Sequence, residues 1–427
     1  MKIITKIKTS KVAKNTIIYT LFSFINKGIP FLLLPIITRY LSQEDYGTIS
    51  IFNTYVQFLV LFVGLSLNSA ISVNYFHLSK DEFKEYLGNS FYILSFMTII
   101  VFLAVFIFKS VIHERITLPY EWLYISIVVA LMSMISQFNL TIWRVQQEAK
   151  PFAIYETVMT LLNIVVSLVL IIAFNLHWLG RVWGIASVTI LFGFISMVFI
   201  IKRGYLDLTF NKNYIKDALK LGISILPHYF AQWMRTGVDI FLITFLVGLQ
   251  YTGVYALGYQ FGAIVGILAG AFNTAYASYQ MEKLKSINQL GKIKLVKFAY
   301  KYFIGIFIFS ILFGLSMKLL FPIMIDSKFS SAVEYIVIIA IAYSFQGMYF
   351  MVVNYIYFEK KNHLVSLATI VSTVIQIILS YFMIQEFGAI GAAYATLVGF
   401  VLNFLIVWYI GSKVYPMPWG FWYEKNS

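Results

Sequence analysis

Lys27 and Arg235 are cations placed well inside apolar runs, where a charge needs a reason. Lys27 lies eleven residues into the first run. At 1.5 Å per residue that is about 17 Å deep, near the middle of a bilayer. A charge there costs ~2.5–3.5 kcal/mol on insertion scales, and such residues normally face a polar interior. Snorkelling from that depth is a long reach, so the spacing favours a cavity-facing Lys27. Arg235 lies about fourteen residues into its own run, at similar depth. An arginine offers a planar fork to an anion and a lysine offers a point charge, so the two together suit an anionic group. Asp239 follows Arg235 by four residues, on the same helical face. One reading is an intrahelical ion pair that lets both insert, and the spacing leans toward it. The other is a carboxylate that carries a coupling proton or cation, or that releases Arg235 when an anion arrives.

The other polar groups carry less. His228 follows Pro227; a lone histidine is more often structural than a ligand, but its titration range suits proton coupling. Asn26 adjoins Lys27. Arg39 ends the first run and reads as an interfacial anchor or a cavity contact. Arg144 reads as orientation charge, and Glu156, one turn into its run, as interfacial. Asn53 and Gln57 in the second run and Tyr255, Tyr259 and Gln260 in the eighth could bind sugar hydroxyls. They could equally be glue between helices. The Gly258–x–x–x–Gly262 spacing marks close helix packing rather than a phosphate loop. No nucleotide-binding fingerprint and no metal-ligand cluster is present, so neither cofactor nor metal is expected, and no enzyme chemistry.

The elements that hold these residues are membrane spans. Hydrophobic residues make up 60% of the 427 and charged ones 12%, against about 25% charged in a soluble domain. Apolar runs fall near 16–40, 48–76, 89–112, 119–146, 152–176, 181–201, 221–249, 253–280, 298–322, 332–358, 364–385 and 388–412, which is twelve. The first is too long for a signal-peptide core and is followed by Ser42-Gln43-Glu44-Asp45 rather than small residues, so it reads as an uncleaved helix. With the N-terminus inside, Lys and Arg favour the cytoplasmic segments by roughly four to one. That predicts twelve spans with both termini cytoplasmic. Most of the net charge of +14 is then orientation charge beside anionic lipid, and nucleic acid is not a partner. Absence of Cys excludes disulfides and thiol catalysis.

The chain repeats itself weakly about a division near residue 213. Thr38-Arg39-Tyr40-Leu41 with Tyr46-Gly47 returns 206 residues later as Thr244-Phe245-Leu246-Val247 with Thr252-Gly253. Gly184, Ala186 and Thr189 of the sixth span return 207 residues later as Gly391, Ala393 and Thr396 of the twelfth. Each half holds six spans, so the repeat is parallel, and such halves fit a transporter working by alternating access. The expected parts are an N-terminal lobe over 1–205, a basic linker over 206–220 and a C-terminal lobe over 221–427.

Over essentially its whole length the sequence resembles the polysaccharide or O-antigen flippase family of the superfamily that includes the MATE multidrug exporters. The resemblance rests on the basic N-terminus, Asn26-Lys27-Gly28-Ile29-Pro30 and the exit Thr38-Arg39-Tyr40-Leu41-Ser42-Gln43-Glu44-Asp45-Tyr46-Gly47. It rests also on Arg235-Thr236-Gly237-Val238-Asp239, Gly253-Val254-Tyr255 and the paired Gly–x–Ala–x–x–Thr motifs. It implies an all-α, MATE-like bundle of two six-helix lobes and flipping of an undecaprenyl-diphosphate-linked oligosaccharide across a bacterial inner membrane. The partners it implies are that lipid-linked sugar, membrane lipids, a polysaccharide polymerase and a chain-length regulator. In this frame Lys27 and Arg235, facing each other across a central cleft, would hold the diphosphate. A small-solute antiporter of the same fold is the rival, although such proteins favour acidic cavities. A membrane-embedded polymerase would need a sizeable outer loop, and loops such as 42–47 and 250–252 are tiny. Peptidoglycan-precursor flippases, as a family, usually have two further helices.

Overall fold

The computed structural model describes residues 11–420, and for residues 11–21, 23, 24 and 27 the backbone alone. The terminal lysines up to Lys8, and Lys425, lie outside the described residues. Within them every regular element is a helix. In chain order these are α1 (Lys11–Tyr40), α2 (Gln43–Gly64), α3 (Leu67–Asn74), α4 (Lys80–Ile116) and α5 (Tyr120–Val145). Next come α6 (Ala149–Leu168), extended by a π turn over Val169–Ala173, α7 (His177–Lys202) and α8 (Lys212–Leu246). The remainder are α9 (Leu249–Gly262), α10 (Ile264–Leu284), α11 (Gln289–Met324), α12 (Ala332–Phe358), α13 (Asn362–Phe387) and α14 (Ala389–Val414).

Local sequence starts these helices. Ser42 caps α2 and Ser79 caps α4, each in a reciprocal box: Asp45 and Glu82 reach back to the cap N–H at 2.8 Å. Among the described residues ten helices are long and apolar enough to cross a membrane, with α9 and α10 together counted as one. The remaining two spans are α1, apolar over Gly28–Tyr40, and the 35-residue α8, diluted by Gln232, Arg235 and Asp239. Twelve spans result, as the sequence predicts. The second and eighth are not continuous, however. α2 and α3 are separated by Leu65 and Ser66, both left-handed (φ 41° and 57°), and α9 gives way to α10 at Ala263. Interrupted helices persist at membrane depth only where the freed backbone is satisfied inside the protein.

The chain divides into two compact units, Met1–Trp233 and Met234–Ser427, with the division inside α8. In the N-terminal unit α5 is the central helix and packs on α2, α3, α4 and α7. In the C-terminal unit the corresponding tenth span, α12, packs on α9, α10, α11 and α14. The repeated glycines have a packing reason in each unit. A Cβ on Gly184 would meet Ser167 Oγ at 2.2 Å, and one on Gly391 would meet the Met383 carbonyl at 2.0 Å. Gly258 and Gly262 of α9 likewise lie against α12, as their spacing suggests. The segment ahead of α8 is strapped to α4: Asn89 donates to the Thr209 carbonyl at 2.8 Å and accepts from the Asn211 N–H at 2.9 Å.

Candidate functional site

The C-terminal unit buries a carboxylate and a guanidinium side by side on α8, in a lining drawn from three other helices. Asp239 is 1% exposed. Tyr255 of α9 donates to its Oδ2 at 3.1 Å, Thr396 of α14 to the same oxygen at 2.9 Å, and Ser380 of α13 to Oδ1 at 2.7 Å. A buried ionised carboxylate is prohibitive without such donors. Each hydrogen bond to a charged group contributes roughly 1.5–3 kcal/mol. Arg235 is 8% exposed. Its Nη2 donates to Ser372 Oγ at 2.9 Å and more weakly to Thr373 Oγ1 at 3.5 Å. The guanidinium carbon stands 5.1 Å from the centroid of the Phe400 ring, a cation–π arrangement. Nε is buried with no acceptor. Gln376 links the backbone of Arg235 to Thr396: its amide donates to the Arg235 carbonyl at 3.0 Å and to the Thr396 hydroxyl at 3.3 Å.

Four of the residues picked from the sequence therefore meet: Arg235, Asp239, Tyr255 and, one layer out, Tyr259, whose hydroxyl lies 2.9 Å from that of Tyr343. Arg235 and Asp239 do not form the ion pair that their spacing favours; the ion pairs within 4 Å among the described residues are elsewhere. Helical spacing brings two side chains within reach, but hydroxyls of α13 and α14 engage each charge separately and leave Arg235 Nε without an acceptor. Gln260 is half-buried on α9.

The other candidates belong to the N-terminal unit. The side chain of Lys27 lies outside the described residues. Asn26 accepts from Thr157 Oγ1 at 3.1 Å, and its own amide nitrogen is buried without an acceptor. His228 is half-buried, with a ring nitrogen 3.0 Å from the Gln232 amide. On α2 Asn53 is half-buried and Gln57 exposed, and Arg39 is exposed at the end of α1. Glu156 is half-buried on α6. Arg144 is exposed over the Phe152 ring at 5.4 Å.

Sequence reasoning misses Ser372, Thr373, Gln376 and Ser380. The signal is there: with Thr369 they form one polar stripe along an otherwise apolar α13, at helical period. Thr396 stands out in the sequence only as part of a repeat motif. Its hydroxyl is a working donor.

Several known proteins are similar to this chain. A Haemophilus influenzae protein of the Lsg locus is 23% identical over 410 residues, covering 95% of this chain and 99% of that protein. A second H. influenzae membrane protein is 23% identical over 378 residues, covering 85% and 88%. Among solved structures, the lipid II flippase MurJ in an inward closed conformation superposes with a TM-score of 0.73 at 17% identity, over 92% of this chain and 87% of that one. An inward-facing multidrug MATE transporter gives 0.67 at 15% identity, over 91% and 94%. The fold is thus the MATE-like two-lobe bundle. The family model described as polysaccharide biosynthesis protein matches residues 12–277, more than half of the sequence, and the chain belongs to that family.

Proposed function

We propose that this protein flips an undecaprenyl-diphosphate-linked oligosaccharide, an O-antigen unit or a related polysaccharide repeat, across the bacterial inner membrane by alternating access. The observation that carries the reading is Arg235. A buried guanidinium with no carboxylate of the described residues in ion-pair reach, and with Nε lacking an acceptor, is suited to an anion that comes and goes. Membership of a polysaccharide biosynthesis family supports a sugar cargo. The likeness to a lipid II flippase is one of fold, and supports a lipid-linked one. Lys27 is the second cation of the diphosphate site in this reading. Asn26, Arg39, Asn53, Gln57, Tyr255, Tyr259 and Gln260 are its candidate sugar or cavity contacts.

Asp239 is the coupling residue of the proposal, with His228 as a second titratable group on the same helix. A carboxylate held by three hydroxyls can keep or lose a proton, or accept a small cation, without dismantling the packing around it. The termini are taken as cytoplasmic, and a polymerase and chain-length regulator as neighbours in the same membrane. The test is complementation of a flippase-deficient strain, with lipid-linked oligosaccharide measured on each face of the inner membrane. Wild type should clear the cytoplasmic face and Arg235→Gln should not. Clearance by Arg235→Gln at the wild-type rate would remove the basis of the reading.

A further inference from the structure

The N-terminal unit also holds an arginine with no carboxylate beside it. Arg181 lies one turn into α7, half-buried. Its Nη1 is fixed by two residues of α6: it donates to Asn163 Oδ1 at 2.6 Å and to Ser167 Oγ at 2.8 Å. Among the described residues it has no ion pair within 4 Å. Nη1 alone makes its hydrogen bonds there, so Nε and Nη2 remain open to an acceptor. Tyr46, from the exit motif of the first span, lies within electrostatic reach of the guanidinium. On the same helix Trp183 packs on Trp122 with ring centroids 4.9 Å apart, and Trp178 packs on it at 6.0 Å. Such a tryptophan cluster belongs at the level of lipid headgroups.

A half-buried cation that lacks a counter-charge is costly unless an anion completes it. A guanidinium held by one nitrogen presents its remaining donors in a fixed plane, which suits two oxygens of a phosphate. We infer that Arg181, steadied by Asn163 and Ser167, is a phosphate-binding station of the N-terminal unit. The chemistry is that of a phosphate ester at the headgroup level. A phospholipid headgroup and the diphosphate of a polyprenyl carrier both supply it, and the site stands whichever molecule the protein transports.

The experiment uses the full chain in detergent and native mass spectrometry with two probes, phosphatidylglycerol and farnesyl diphosphate. Arg181→Gln should weaken at least one of them about tenfold, the loss of charge-assisted hydrogen bonds to phosphate. Arg181→Lys should recover part of the binding. Loss for phosphatidylglycerol alone assigns the site to a lipid headgroup, and loss for the diphosphate alone assigns it to a carrier. Wild-type binding of both probes by Arg181→Gln overturns the inference. If that variant does not fold, Asn163→Ala decides, since it keeps the charge and frees the fork. Binding weakened about threefold supports the station, and unchanged binding refutes it.

Discussion

The N-terminal unit holds a buried polar knot that is neutral; the C-terminal unit holds one that is charged. Tyr155 of α6 places its hydroxyl 2.7 Å from Ser196 and 3.0 Å from Ser136, and donates to the Phe192 carbonyl at 2.8 Å. Those partners lie on α5 and α7, the fourth and sixth spans. In the C-terminal unit the knot is Asp239 and Arg235, and its partners lie on the eighth, eleventh and twelfth spans. The repeated frame is the same, with one central helix and a tight glycine contact between the last two spans of each unit. Acceptors of the two arginines also share a register. Ser167 and Thr373, 206 residues apart, each accept from one of them, although Arg181 comes from the sixth span and Arg235 from the seventh. Packing is thus duplicated, while the two knots differ in charge. A neutral knot can only hold its helices together, whereas a charged one changes energy whenever an anion, a proton or a cation arrives.

The largest break in this comparison is at Arg235. Arg235→Gln should lower transport by roughly 10–100-fold, the worth of one or two charge-assisted bonds to phosphate. Membrane abundance should stay near wild type, because no buried carboxylate is left unpaired. Arg235→Lys should retain part of the activity. Transport measured per inserted molecule separates these outcomes.

Asp239 comes next. With its oxygens held by hydroxyls rather than by Arg235, Asp239→Asn keeps a carbonyl oxygen for at least one donor and orphans no cation. It should insert normally while the pH response of transport flattens. Asp239→Leu strands three buried hydroxyls at about 1–3 kcal/mol each and should lower abundance. A normal pH response in Asp239→Asn would confine the residue to packing. The neutral knot gives the contrast: Tyr155→Phe should cost about 1–3 kcal/mol of stability and leave pH dependence unchanged.

Much of this was legible in the sequence. Twelve spans, the repeat, and the charges at 235 and 239 follow from apolar runs and their interruptions. Two partners of Asp239 did not, because Ser380 and Thr396 are 141 and 157 residues away in sequence and only tertiary packing brings them in. The i,i+4 spacing predicted an ion pair, since spacing reports reach and not competition from other helices. The breaks in the second and eighth spans were also hidden. Leu65 and Ser66 adopt left-handed backbone themselves, and Ala263 is a good helix former, so the only hint is the glycine before each break, Gly64 and Gly262, which equally marks close packing.

The repeated glycines test the shared frame. Gly184→Leu and Gly391→Leu each force a side chain into backbone or hydroxyl contact closer than van der Waals distance allows. Each should destabilise by about 1–3 kcal/mol or more. Gly270→Ala, with nothing within 4 Å of its Cβ position, is the near-neutral control. Comparable loss of thermal stability in both leucine variants would mark the contact as equally needed in both units.

The smallest effect separates the two units at their first turns. Ser42 and Gly248 stand 206 residues apart, and each is the N-cap of the helix that follows the first span of its repeat. The carbonyl of each accepts the N–H four residues on, at 3.1 Å from Tyr46 and 3.2 Å from Thr252. There the likeness stops. Ser42 is extended (φ −73°) and its hydroxyl caps Asp45, whereas Gly248 has φ 124° and no side-chain cap. Ser42→Ala should therefore cost about 1 kcal/mol, the usual worth of a capping hydroxyl. Gly248→Ser should not gain the equivalent, because at φ 124° a Cβ strains the backbone before any hydroxyl can cap. A thermal-shift series should order wild type above Ser42→Ala, with Gly248→Ser also below wild type. A rise in melting temperature for Gly248→Ser would mean that its turn can relax to the extended cap of Ser42, and that the two turns differ in sequence alone.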